Sequence, residues 1–234
     1  MKTWKKNLHL PFQGTDRLAR SLSAALGVVS LVCLSGVLSA CAERGGSGSP
    51  GLHPDPARPV PGVVATQPEQ IPPHTIGCAP SLTGEGRATT AAAADQDAPR
   101  VTLSVPDGWT ARGGSGDTAL SLTGPDGMAA TVTITATDAL PERAFQEYTA
   151  HLGGSMRRLN FAVAGAPFCG YSSELLTGTL QGPSGAIQFA DRITHIWTNT
   201  KMYLVAVHLE GPAAVAGFTA AKSALMQNFA VLIP

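Results

Sequence analysis

None of the spacings that a metal centre or an activated nucleophile requires is present in this sequence: there is no His-x-x-x-His, no Cys-x-x-Cys and no Glu-x-x-His. Metal binding needs several such side chains to converge, so neither a metal nor any other cofactor is expected. The serine-hydrolase elbow Gly-x-Ser-x-Gly is missing too. Its nearest match, Gly113-Gly114-Ser115-Gly116-Asp117, fails at the last position and leads into no helical pattern, which makes it a flexible turn. There is no internal repeat. Beyond residue 41 the only lysines are Lys201 and Lys222. Phosphate neutralisation needs clustered Lys and Arg, so nucleic acid is excluded as a partner.

What is present begins with an address. Lys2, Lys5, Lys6, Arg17 and Arg20 precede an uncharged run from Ser21 to Ala40, which closes on Leu38-Ser39-Ala40-Cys41. That arrangement is a lipoprotein signal: cleavage ahead of Cys41 frees a thiol that takes a diacylglycerol and keeps the chain on a membrane surface. The segment holds no Arg-Arg pair, which favours the general secretory route over the twin-arginine one. An uncleaved spanning helix is the competing reading. It lacks a basic flank, since Glu43 and Arg44 cancel, and five serines and two glycines dilute it. Of 16 basic and 16 acidic residues, the five named and one acid, Asp16, lie before Cys41. The mature chain keeps 11 against 15, a formal charge of −4.

Cleavage removes Cys33 from the thiol count and lipid consumes Cys41, so Cys78 and Cys169 remain. In an oxidising extracytoplasmic space such a pair is expected to form a disulfide. Closing that loop would restrict the unfolded chain by about 4 to 5 kcal/mol on the loop-entropy model, less any native strain.

Residues 1–40 are thus the signal peptide and residues 41–75 the lipidated cysteine with its tether. The tether is rich in glycine and serine at first, then in proline from Pro50 to Pro73. Residues 76–234 form the globular domain, with a core over 100–232 and a second loose stretch at Ser81 to Pro99. Val101, Leu103 and Val105 alternate up to Pro106-Asp107-Gly108, a strand and a turn. Leu120 and Leu122, Gly124-Pro125-Asp126-Gly127 and the alternation Thr131 to Thr135 make a hairpin. Pro141 opens a helix carrying Phe145, Tyr148 and Leu152 and ending at Gly153-Gly154. Strands follow at Phe161 to Ala164, Tyr171 to Leu180, Ala186 to Trp197 and Met202 to Leu209. Pro212 then opens a second helix with a stripe of Val215, Phe218, Leu225, Met226 and Phe229. The order β-β-β-α-β-β-β-β-α, with short connections, predicts an α+β fold: an antiparallel β-sheet flanked by helices.

A lipobox, a Pro-rich tether, a strand ending in Val105-Pro106-Asp107-Gly108-Trp109, a middle helix, a hairpin through Arg192-Ile193 and Tyr203-Leu204-Val205 and a C-terminal helix resemble the LpqN/LpqT-type lipoproteins of mycobacteria and their relatives. The resemblance covers roughly residues 100 to 232. It implies a PsbP-like α/β/α sandwich and an envelope-exposed protein without enzymatic activity, and it offers no catalytic residues. Cys78 and Cys169 are not part of that pattern.

Three polar residues remain as candidate sites. A turn centred on Asn199-Thr200 places Asp191 opposite His208 and His195 opposite Leu204. An Asp-His pair can act as a base with its orienter, or simply as a partly solvated cross-strand contact. Lys222 falls seven residues after Val215 and seven before Phe229. Its stem should therefore cover apolar surface, with the ammonium either in water or against Glu174 or Asp191. The expected function is a non-catalytic binding module, anchored through diacylglyceryl Cys41, that engages an envelope protein or an amphiphilic lipid. A lipid or glycolipid carrier and an envelope hydrolase are the alternatives. The shape of the largest concavity separates them, a deep apolar one pointing to lipid and an open polar one to protein.

Overall fold

The computed structural model describes residues 59–64, 76–79, 86–155, 159–182, 185–198 and 200–234. Cys41, the signal segment, His53, His74 and most of the tether lie outside them. Among the described residues no helix is long and apolar enough to cross a membrane.

The strands are β1 (Ile76–Cys78), β2 (Arg87–Ala91), β3 (Arg100–Val105), β4 (Thr110–Gly113), β5 (Thr118–Thr123) and β6 (Ala129–Thr137), then β7 (Asn160–Gly165), β8 (Ser173–Gly182), β9 (Gly185–Trp197), β10 (Met202–Pro212) and β11 (Ala230–Leu232). Helix α1 (Pro141–Ser155) follows β6, and α2 (Phe218–Met226) follows β10. Among the described residues all pairings are antiparallel and form two sheets, a seven-stranded one in the order β4-β5-β6-β10-β9-β8-β7 and a four-stranded one in the order β1-β11-β3-β2. The α+β class is as the sequence predicts. The strands divide between two sheets, however, and β1, β2, β4 and β11 join the expected set.

The two-residue period of a strand decides which side chains meet which layer. On one face of the large sheet Val132, Ile134, Val205, Val207 and Leu209 join Val101, Leu103 and Val105 of the small sheet and Phe218 and Leu225 of α2 in a single core. Each such side chain, fully buried, contributes about 1.5 to 3 kcal/mol. On the opposite face Phe145 and Leu152 of α1 pack on Leu176, Ile193 and Ala206. Trp109 lies in the main core directly against Gly124, where any Cβ would enter the indole ring, so the β5–β6 turn has to be glycine there.

Arg192 fastens these layers. Buried to 5% exposure, its guanidinium donates to the Met226 carbonyl at 2.6 Å, the Ala166 carbonyl at 2.8 Å, Asn228 Oδ1 at 3.1 Å and Ser173 Oγ at 3.3 Å. It also sits 4.5 Å from the centre of the Phe168 ring. Burial lowers its pKa to about 10, so it stays charged at neutral pH. One side chain thus ties β9 to the last turn of α2, where carbonyls lack helical partners, and to the loop before β8.

Cys78 and Cys169 are bonded, with Cα atoms 5.9 Å apart. Cys78 is 4% exposed and pairs with Val231 in the small sheet. The Ser81–Pro99 stretch likewise contains β2, and Asp95 and Asp97 take Lys201 Nζ at 3.1 and 3.3 Å. Pro212 ends β10 instead of opening a helix. Positive φ at Ala214 (62°) and Gly217 (83°) delays helix onset to Phe218. Val215 and Phe229 are therefore outside α2, whose buried stripe is Phe218, Ala221, Leu225 and Met226.

Because β1 is only three residues long and two of them, Ile76 and Cys78, pair with β11, the disulfide should be its main restraint. Replacing Cys78 and Cys169 together by Ala is expected to lower stability by about 2 to 4 kcal/mol in urea unfolding. An unchanged midpoint would show that β11 pairing alone retains β1.

Candidate functional site

Helix α1 sets the candidate site by covering only half of a sheet. Pro141 occupies its first turn, Arg143 donates to Glu147 at 2.7 Å, and Phe145, Tyr148 and Leu152 recur at helical spacing to form the apolar stripe. That stripe is seated over β8, β9 and β10. The same face continues across β6, where Thr131, Thr133, Thr135 and Thr137 alternate with Val132 and Ile134 of the main core. A groove results: Thr133, Thr135, Leu204 and Ala206 make its floor, and Ala144, Glu147, Tyr148 and His151 its wall, with a volume of about 470 Å³. A second hollow of about 570 Å³, bounded by Asp138, Ala139, Leu140 and Arg143, shares Thr137 and Glu147 with the first. Both are open to solvent, and Leu140, 53% exposed, stands on the rim.

On the same face of the sheet, two residues along β10 from Ala206, lies the expected cross-strand pair. The β9–β10 register puts His208 opposite Asp191 and His195 opposite Leu204. His208 Nδ1 donates to Asp191 Oδ1 at 2.6 Å, and Nε2 faces Glu210 Oε2 at 3.5 Å. Burial alone would lower the pKa of the ring. The hydrogen bond and charge of Asp191, with help from Glu210, outweigh it and hold His208 above its ordinary value. Burial, then the Asp191 charge, pushes the Tyr148 phenol up, although Asp191 Oδ2 receives no well-formed hydrogen bond from any described residue.

Chemically this arrangement favours the imidazolium form, since both ring nitrogens face carboxylates. Across β10 and β6 His208 stands opposite Thr131, and on to β5 Thr131 stands opposite Ser121. No hydrogen bond joins His208 to either hydroxyl among the described residues. The Gly113–Asp117 segment is the β4–β5 hairpin turn, in which Thr118 N donates to the Ser115 carbonyl at 3.2 Å. His195 donates from Nε2 to the Ala139 carbonyl at 3.0 Å, and burial lowers its pKa.

Lys222 meets neither expected carboxylate. It is half-buried on α2 and forms no ion pair among the described residues, whereas Glu174 and Asp191 lie on the other face of the large sheet. Glu174 is 2% exposed, and burial raises its carboxyl to about 7. No group of three or more His, Cys, Asp or Glu able to hold a metal occurs among the described residues.

Sequence reasoning missed the groove itself. The alternating threonines of β6 were its visible signal, because a polar row on a strand marks a face left uncovered.

No family model matches the sequence, and no curated protein does. Among solved structures the chain is similar to LpqN of Mycobacterium tuberculosis, described as involved in cell envelope biogenesis, with a TM-score of 0.51 and 14% identity over 62% of this chain and 91% of that one. A Pseudomonas aeruginosa protein of unknown function matches over 64% of this chain and 98% of its own at 14% identity, with a TM-score of 0.38. The likeness to LpqN is one of fold.

The His208–Asp191 pair makes a signed prediction. An unfolded histidine titrates near ~6.5 and the folded one above it, so the pair's stabilisation is complete below that pH and is lost as pH rises through the folded value. In Asp191→Asn the NMR-titrated pKa of His208 should drop by about one to three pH units. An unmoved pKa would mean that Glu210, not Asp191, holds the proton.

Proposed function

We propose that this chain is a non-catalytic binding module of the cell envelope, held on the outer side of the cytoplasmic membrane by lipid on Cys41, and that it engages an envelope protein through the groove beside α1. The observation that carries this reading is the shape of that groove. It is open to solvent, floored by Thr133, Thr135, Leu204 and Ala206 and edged by Glu147, His151 and Arg143. Such a surface suits a polypeptide better than an acyl chain, which needs an enclosed apolar cavity. The Asp191–His208 pair is accounted for as a cross-strand contact, with neither Thr131 nor Ser121 hydrogen-bonded to the ring. The lipobox argues for the location, and the envelope role described for LpqN, whose fold this chain resembles, agrees with it.

Two arms test the reading. Cys41→Ala should move the chain out of the membrane fraction of its native cells; retention with the apolar run uncleaved would favour a spanning helix. Separately, Thr133→Arg with Thr135→Arg fills the groove floor and should cut cross-linked capture of an envelope protein by about tenfold. Capture unaffected by the double variant, or co-purifying lipid in native mass spectrometry in place of a protein, would overturn it.

A further inference from the structure

Four residues of the nominal tether are not free. Val60-Pro61-Gly62-Val63 forms a reverse turn, with φ +75° at Gly62 as a type II turn requires at its third position. The turn is docked on the domain far from its own place in sequence. The Gly62 carbonyl accepts from Ser173 N at 3.0 Å, and Val64 N donates to Ser172 Oγ, 108 residues away, at 3.0 Å. Val60 and Val63 pack on the small core formed by Phe145, Leu152, Leu176 and Ile193.

The receiving surface is shaped for this. Gly165, at the end of β7, lies so close to Gly62 that a Cβ on it would come within 2.6 Å of Gly62 N. A Cβ on Gly62 would overlap the Ser173 carbonyl. Ser173 opens β8 and Ser172 immediately precedes it, and with the turn in place they are 0% and 3% exposed. The cleft between α1, Gly165 and Ser172–Ser173 thus offers a donor and an acceptor for backbone, a slot that admits only glycine, and two apolar seats three residues apart.

We propose that this cleft is a recognition site for a Pro-Gly reverse turn flanked by β-branched residues, and that Val60–Val63 closes it in cis until a polypeptide partner presents the same turn. Displacement exchanges equivalent contacts, so the apparent affinity for a partner is set by the fraction of molecules in which the strap is open. The inference deepens the reading of the domain as a protein-binding module but uses a different surface from the α1–β6 groove.

The test uses the full chain in detergent and the synthetic peptide Pro-Val-Pro-Gly-Val-Val as probe. Gly62→Val ejects the strap by overlap, and Val60→Asp with Val63→Asp ejects it by removing its anchors. In either variant the Ser173 amide should lose protection in hydrogen exchange. The peptide should then bind at least about tenfold more tightly than to wild type and restore that protection. A peptide with Ala in place of its Gly should not bind, and Gly165→Leu should abolish binding to the strap-free chain. Adding Thr133→Arg with Thr135→Arg should leave peptide binding unchanged, which separates failure here from failure of the groove. Circular dichroism and an intact Cys78–Cys169 bond report that the variants fold. Folded strap-free variants that bind no peptide would overturn the proposal.

Discussion

The β9–β10 ladder is the constraint on which the rest of the structure depends. Its turn is locked locally: Thr198 N and Oγ1 both donate to the Lys201 carbonyl at 2.9 Å, and Lys201 Nζ reaches Asp95 and Asp97. With the turn fixed, the register runs through eleven pairs from Met202–Trp197 to Pro212–Ile187. A slip of one residue would move every side chain to the wrong face. Asp191 and Arg192 are neighbours in sequence and therefore point to opposite faces, Asp191 toward His208 beneath α1 and Arg192 toward the last turn of α2. One hairpin consequently orients both helices.

That geometry explains how a small domain offers two surfaces on one face. The apolar stripe of α1 is wide enough for β8, β9 and β10 only. To one side it leaves the threonine row of β6 as an open groove, and to the other it leaves apolar surface by β7 and β8 that a turn from the tether covers. A hydrophobic core that ends before its sheet does will leave such margins, and these are the places where binding can occur without disturbing the fold. On the other face the four-stranded sheet and α2 close over the core together, leaving a hollow of about 520 Å³ between α2 and Trp109, Pro125 and Met128.

Much of this was legible in the sequence. Two-residue alternation and the tight Asn199-Thr200 turn were enough to pair Asp191 with His208, and thiol counting was enough to pair Cys78 with Cys169. The missed strands are short, and most are polar or paired across long separations: Arg87–Ala91 reads as loop until β3 is beside it, and Ala230–Leu232 is only three residues. Pro212 misled because its fixed φ suits a strand end as well as a helix start, and the residues that decide are Ala214 and Gly217 with their positive φ. With α2 shortened, the heptad argument for Lys222 lost both of its reference points. The groove and the docked turn depend on where a helix lies on a sheet, a tertiary fact that no local pattern encodes.

Native-state hydrogen exchange measures the central claim most directly. If the β9–β10 ladder anchors both layers, its amides should exchange only through global unfolding, at the full stability of the domain, while those of β1, β2 and β11 exchange earlier through partial opening. The contradicting result is a four-stranded sheet that stays protected while β9 and β10 open locally, which would make the small sheet the anchor and the hairpin its dependent.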